Sequence, residues 1–325
     1  MRRNDTSTLI VIVNYRTSEL TLDCLRSLEA EVAPARGVRV VVTDNGSGDG
    51  SVGRLIVGIL RYGWSDWASV QPLPRNGGFA YGNNAAISRA LESDEPPDFV
   101  ILLNPDTVAR PGSIRALIEF MSAHPEIGLA GSRLEDPDGT PQRSAFRFPS
   151  ILSELDGGMR LGVVSRLLAG RVIAPPVPVE PCEVDWVAGA SLIVRREVFE
   201  QIGLLDEGYF MYFEEVDFCR RARLAGRPCW YVPDSRVVHL VGQSSGVTDR
   251  KAVPRRRPAY WFEARRRYFL SHLGRARTVL ADLAWSAGYA SYLLRRRFRS
   301  TPEAEPPHLL RDFLRHNFLP TRATR

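Results

Sequence analysis

Glu214, Glu215 and Asp217 follow directly on Tyr209-Phe210-Met211-Tyr212-Phe213. Carboxyl groups set in an aromatic and apolar frame lose solvent, which lifts them above their aqueous pKa. A carboxylate so placed suits general-base work on a hydroxyl. Two further acids each close an apolar run: Asp44 follows residues 38–43, and Asp106, in Asn104-Pro105-Asp106, follows residues 99–103. A carboxylate just past a buried strand can hold Mg²⁺ or Mn²⁺, which completes its shell with phosphate oxygens and water. His239, after Arg236-Val237-Val238, reads as a second metal ligand or a diphosphate contact, against the plainer reading of a structural histidine. Asp44, set among Asn, Gly and Ser, is equally a turn or cap acid. Arg75 opens a Gly/Asn loop over residues 75–84, including Asn76 and Gly77, where backbone can come close to a ligand.

The elements that must carry these groups follow from periodicity. Residues 9–13 read as a first strand, and Leu20, Leu22, Leu25 and Leu28 give a helical apolar face. Residues 38–43 then make the second strand of a βαβ unit. A helix from Val52, a strand near Val70, a helix after the Gly/Asn loop and a strand at 99–103 continue the alternation, with Pro111 opening the next helix. Residues 136–181 are rich in Pro, Gly and Ser and read as an irregular insertion over the sheet edge. A strand at 183–187 and helices at 195–202 and 214–224 follow. On the last, Glu214 and Asp217 share a face and Glu215 is turned about 100° away, at 3.6 residues per turn. The class is α/β, and in open parallel sheets ligands gather at the carboxyl ends of the strands.

The 325 residues, 44% hydrophobic, are enough for one large domain with an appended module. The net charge of +6 is uneven. From Arg250 onward there are 18 Lys and Arg against 5 Asp and Glu, whereas the preceding 249 residues carry an excess of acid. Cys24, Cys182, Cys219 and Cys229 have neither metal-ligand spacing nor the pattern of a disulfide framework, which fits a reducing cytoplasm. No G-x-G-x-x-G follows the first strand and no G-x-x-x-x-G-K-[ST] occurs, so a dehydrogenase and a P-loop kinase lose ground.

In the tail, Trp285, Tyr289 and Tyr292 fall on one helical stripe and Leu280, Leu283, Ala287, Ala290 and Leu294 on another, with Arg295-Arg296-Arg297 and Arg299 beyond. Two readings stand: a core-packing helix with a solvated basic end, or a helix on an anionic membrane with its aromatics at the headgroups. Nucleic acid is not an expected partner, because the basic run lacks a reading module.

Taken in order, VIVNYR (11–16), TDNGSGDGS (43–51), NGGFAYGNN (76–84), LLNPDT (102–107) and the block from Asp185-Trp186-Val187-Ala188-Gly189-Ala190 through Glu214-Glu215-Val216-Asp217 to His239 resemble glycosyltransferase family 2, most of all its rhamnosyltransferase branch. The resemblance covers about residues 8–245. It implies a GT-A (Rossmann-like) fold with a mostly parallel central sheet flanked by helices. Residues 1–248 would form the nucleotide-sugar domain and 249–325 a basic, mainly helical C-terminal extension. It also implies inverting transfer of a sugar, L-rhamnose from dTDP-L-rhamnose, onto an envelope glycan, with a divalent cation; together with the basic aromatic tail it points to a polyprenyl-linked acceptor and a cytoplasmic protein peripheral to the membrane. By this carry-over Asn14 and Tyr15 lie near the base or ribose, Asp44 contacts the nucleoside, and Arg75, Asn76, Gly77 and Asn104 complete the donor side. Asp106, with His239, holds the metal; Glu215 is the base; Trp186, Gly189, Glu214 and Asp217 form the acceptor pocket. Two positions depart from the pattern: Asn104 replaces the first Asp of Asp-x-Asp, and Glu215 replaces Asp, lengthening the base by one methylene. These departures are what a nucleotide-sugar-binding scaffold without catalysis would rest on. A nucleotidyltransferase would want a Gly-rich phosphate loop where Asn14-Tyr15-Arg16-Thr17 stands.

Overall fold

The β-branched runs become strands by pairing in parallel where both faces are covered, so Leu9, Ile10, Val11 and Ile12 are at most 1% exposed. The computed structural model describes residues 6–35, 37–240, 254–298 and 305–319. The chain opens with β1 (Thr8–Asn14), α1 (Ser18–Val32), β2 (Val38–Asp44), α2 (Ser51–Tyr62), β3 (Ala68–Pro72), α3 (Gly78–Leu91) and β4 (Phe99–Leu103). It continues through β5 (Thr107–Ala109), α4 (Ser113–Ala123), β6 (Leu129–Glu135), β7 (Ala145–Phe146), α5 (Ile151–Met159) and α6 (Gly162–Leu167). Then come β8 (Cys182–Val184), β9 (Trp186–Val187), β10 (Ser191–Arg195), α7 (Arg196–Ile202), α8 (Glu214–Leu224), β11 (Cys229–His239), α9 (Ala259–Arg296) and α10 (Leu309–Phe318).

One sheet runs β3-β2-β1-β4-β10-β6-β11-β5, with β8 also on β11. The strands β3, β2, β1, β4, β6 and β11 point one way, and β10, β5 and β8 the other. On one face Leu25 and Leu28 of α1, Leu55 of α2 and Leu117 of α4 close the core. On the other, Ile87 of α3, Phe199 of α7 and Phe218 of α8 do so.

Three local expectations are corrected. Pro111 does not open α4; Gly112, in the left-handed region at φ 85°, caps a helix that starts at Ser113. The run 183–187 is two strands, because β8 pairs with β11 while β9 pairs with β7. Between them Asp185 accepts the Phe148 N–H at 2.8 Å and pairs with Arg223. The segment 136–181 contains β7, α5 and α6 rather than irregular chain alone.

In the tail, α9 is broken at Gly274 (φ 75°, ψ 169°) into two arms. Buried Arg265 of the first arm bonds Glu154 of α5 at 2.7 Å and Asp282 of the second arm at 2.5 Å, tying all three together. Trp285 stacks on Phe313 of α10 with ring centres 4.1 Å apart, and Tyr289 and Tyr292 are buried. The aromatic stripe is therefore core, not a headgroup contact. The stripe left exposed is the aliphatic one, with Leu280 at 53%, Leu283 at 52% and Leu294 at 58%. No helix among the described residues is long and apolar enough to cross a membrane. Arg299 and the junction between residues 248 and 249 lie outside the described residues.

Candidate active site

A cleft of about 250 Å³ opens at the carboxyl ends of β1 and β4, walled by the β9–β10 turn and the start of α8. Tyr15, Asn76, Asn104, Asp106, Gly189, Glu214, Glu215 and His239, all singled out in the sequence, line it together. Asn45, Phe79, Met211 and Tyr212 line it as well. None of these four was singled out as a site residue, although each sits inside a motif that carried the resemblance, and Met211 and Tyr212 were read only as part of the aromatic frame.

Two turns set the floor and the rim. Asp44 accepts hydrogen bonds from Asn14 Nδ2 (2.6 Å), Ser47 Oγ (2.7 Å) and the Ser47 N–H (3.0 Å). Its oxygens are thus committed to holding the turn after β2, and neither Asp44 nor Asn14 lines the cleft. The turn presents Asn45 instead, whose Nδ2 donates to Asn76 Oδ1 (3.1 Å) and the Gly78 carbonyl (2.9 Å), while its Oδ1 accepts from the Gly77 N–H (3.3 Å). A Cβ on Gly46 would sit 2.6 Å from the Arg75 backbone, so glycine is needed where these turns meet. The Arg75 guanidinium lies over the Tyr81 ring at 4.7 Å, away from the cleft lining.

The rim loop before α8 is held under strain. Tyr212 and Phe213 are consecutive non-glycine residues at φ 72° and 69°, a conformation costing about 1–2 kcal/mol per residue. The Phe79 N–H donates to the Phe210 carbonyl at 3.0 Å, and the Phe213 ring packs on Tyr268 of α9 at 5.4 Å. At Gly78, φ is 92° and a Cβ would lie 2.0 Å from the Phe210 oxygen, so only glycine allows this approach. The strained loop starts α8 abruptly at Glu214. Glu214 and Glu215, both in its first turn, line the cleft together. The helical-wheel expectation paired Glu214 with Asp217 instead. Asp217 turns away, to Arg221 Nε (2.8 Å) and His272 Nε2 (2.6 Å). Burial pushes its carboxyl up, but the bonds from His272 and Arg221 prevail and hold it below the ordinary range. Trp186 is likewise outside the lining, stacked on Phe146 at 4.2 Å with its Nε1–H donating to the Arg147 carbonyl.

The two cleft glutamates differ in charge preference. Burial raises the Glu214 carboxyl well above its usual value, and the charge on Glu215 pushes it further. Glu215 is raised by burial too, but its own backbone N–H and those of Gly189 and Val216 oppose the shift. Of the two, Glu214 is the more strongly raised, by burial and by the neighbouring Glu215 charge, so Glu215 is the one that ionises first. The Oε2 atoms of both are shut off from solvent and have no hydrogen-bond partner among the described residues.

Across the cleft, Asp106 is 1% exposed and its Oδ1 lies 3.7 Å from His239 Nε2. One carboxylate and one imidazole fit a divalent ion that draws its remaining ligands from phosphate and water. Among the described residues no cluster of three His, Cys, Asp or Glu exists to hold an ion alone. The buried thiol of Cys24, raised to about 12 by burial, packs beneath the turn, 3.5 Å from Thr107 Oγ1.

The profile described as "Glycosyltransferase like family 2" matches residues 5–257. The chain belongs to glycosyltransferase family 2. Within the family it is 35% identical, over 251 residues, to the N-acetylglucosaminyl-diphospho-decaprenol L-rhamnosyltransferase of Mycobacterium tuberculosis (strain H37Rv), covering 73% of this chain and 77% of that one. It is 29% identical over 168 residues to the rhamnosyltransferase WbbL of Escherichia coli K12, covering 50% of this chain and 60% of that one. GalNAc-T7, solved with UDP, GalNAc and Mn²⁺, superposes with a TM-score of 0.56 at 17% identity, over 97% of this chain and 55% of that one. This likeness shows a shared GT-A fold. The chain is thus a glycosyltransferase of the rhamnosyltransferase-like branch, as the motif order implied.

Proposed function

We propose that this family 2 enzyme transfers L-rhamnose, with inversion, from dTDP-L-rhamnose to a hydroxyl of a polyprenyl-diphosphate-linked envelope glycan at a membrane face. The observation that carries the reading is the placement of Glu215: a carboxylate raised by burial, with an unpartnered oxygen, in the same cleft as Asp106. The 35% identity to an enzyme named for a diphospho-decaprenol-linked substrate and L-rhamnose supports the choice of donor and acceptor.

In this reading the nucleotide lies along the β1 and β2 ends, with Tyr15 and Asn45 against it and the turn braced from behind by Asn14 and Asp44. Asp106 and His239 would hold Mg²⁺ or Mn²⁺ on the diphosphate, where the ion supplies counter-charge to the leaving group. Asn104, which replaces a carboxylate, gives its carbonyl to the Thr107 hydroxyl at 2.7 Å and shapes the turn that aims Asp106. Glu215 takes the proton of the acceptor hydroxyl as that oxygen bonds to the anomeric carbon, and the bond from that carbon to the diphosphate oxygen breaks. Glu214, raised further than Glu215 by burial and by its neighbour's charge, favours the neutral form, which keeps a second negative charge away from the diphosphate.

A panel of nucleotide sugars with Mn²⁺, read by thermal shift and then by transfer to an N-acetylglucosaminyl-diphospho-lipid, tests this. Stabilisation by dTDP-L-rhamnose above the others, followed by rhamnosyl transfer, is expected. Preference for another donor would overturn the sugar assignment, and binding without turnover would favour the scaffold reading.

A further inference from the structure

The second arm of α9 carries Leu280, Leu283, Ala287, Ala290 and Leu294 at alternating spacings of three and four, all exposed. This uninterrupted aliphatic stripe is about 21 Å long at 1.5 Å per residue. Its opposite face is spent: Asp282, Tyr289 and Tyr292 are buried against α5 and α10. Arginines mark both ends, with Arg275 and Arg277 exposed before the stripe and Arg297 exposed after it, beside Phe298 at 86% exposure.

We propose that this arm lies flat on an anionic lipid surface, its aliphatic stripe in the acyl boundary and its terminal arginines at the lipid phosphates. The spacing alone would equally suit a seam between two copies of the helix. Charge decides between them: paired parallel or antiparallel, two copies would set arginine-bearing ends against each other, and like charges repel. An anionic bilayer answers every arginine with an opposite charge, and apolar face plus basic flanks is the pattern of interfacial helices. The proposal deepens the membrane setting of the proposed reaction and rests on it for its purpose, but its evidence is the stripe.

The test is vesicle sedimentation of the full-length chain at low and high salt, with phosphatidylcholine alone or mixed with phosphatidylglycerol. The chain should pellet with the anionic vesicles only, and less at high salt. Leu280→Ser with Leu283→Ser should weaken binding at least about ten-fold by removing buried apolar groups. Arg275→Ala and Arg277→Ala should each weaken it roughly five-fold. All four positions are exposed, so melting temperature and donor hydrolysis should be unchanged; if the serine variant melts early, the arginine pair carries the test. Binding to anionic vesicles that is absent, or equal in all variants, overturns the proposal. So does a dimer that the serine variant dissociates while vesicle binding persists. Vesicle binding needs neither donor nor cation, so its failure leaves rhamnosyl transfer standing, and absent transfer with intact binding sinks only the reaction.

Discussion

Replacing Glu215 by Gln removes the charge and the basic oxygen while keeping the shape of the side chain in the cleft. Loss of a positioned base lowers turnover by about 10²- to 10⁴-fold, or about 3–5 kcal/mol on the barrier. Burial should make the same change stabilising. The folded carboxyl is held above its unfolded value, so its favourable contribution is complete below the unfolded pKa and disappears as pH rises through the folded one. Each pH unit between those values is worth about 1.4 kcal/mol. The glutamine variant, which does not ionise, should match the native chain in acid and exceed its melting temperature at neutral pH. Turnover, the thermal shift given by dTDP-L-rhamnose with Mn²⁺, and melting across a pH series form the assay. A variant that turns over near the native rate removes Glu215 from the role of base. One that melts like the native chain at every pH contradicts a carboxylate held in a dry pocket. If turnover falls but the donor-induced shift vanishes too, the side chain holds the donor rather than the acceptor proton.

The acid limb of the kcat/KM profile should lie above the ordinary glutamate range, since burial raises the Glu215 carboxyl, and should be lost in Glu215→Gln but kept in Glu214→Gln. Asp106→Asn should abolish the dependence of donor binding on Mn²⁺, seen as a donor-induced thermal shift that no longer responds to the ion. Gly78→Ala combines left-handed φ with a Cβ 2.0 Å from a carbonyl and should lower kcat and raise KM together. Gly48→Ala, also left-handed but with open space around it, should cost only about 1–2 kcal/mol of stability and leave KM alone. Arg265→Ala strands two buried carboxyls and should cost about 3–5 kcal/mol in urea unfolding.

The strands β1, β2 and β4 were legible because central parallel strands are apolar on both faces. In contrast, β6 reads as polar chain: it contains Ser132, Arg133 and Glu135. Its polarity is answered by residues distant in sequence, with Ser132 Oγ 2.7 Å from both Ser191 Oγ and Ser235 Oγ. Glu135, fully buried, receives Arg110 and Arg236, and those bonds keep its carboxyl below the ordinary range against the desolvation that raises it. Neither match shows in a local window. The same holds at the site: Glu215 stood out because its aromatic frame is contiguous with it. Asp44 takes two bonds from Ser47, three residues on, as its turn reading implied, and a third from Asn14, 30 residues earlier; Asp217 is held by nearby Arg221 and by His272, 55 residues later. What a local window could not show was the distant partner, Asn14 for Asp44 and His272 for Asp217.

The cluster around Arg265 orders events during synthesis. Glu154 leaves the ribosome 111 residues ahead of the guanidinium that neutralises it. Burying it alone would cost several kcal/mol, so the Glu154 face of α5 must stay hydrated until Arg265 of α9 reaches it. Its flank closes only when α9 packs against it. A premature stop before Arg265 would release a finished sheet with an open side, a natural target for proteolytic clearance.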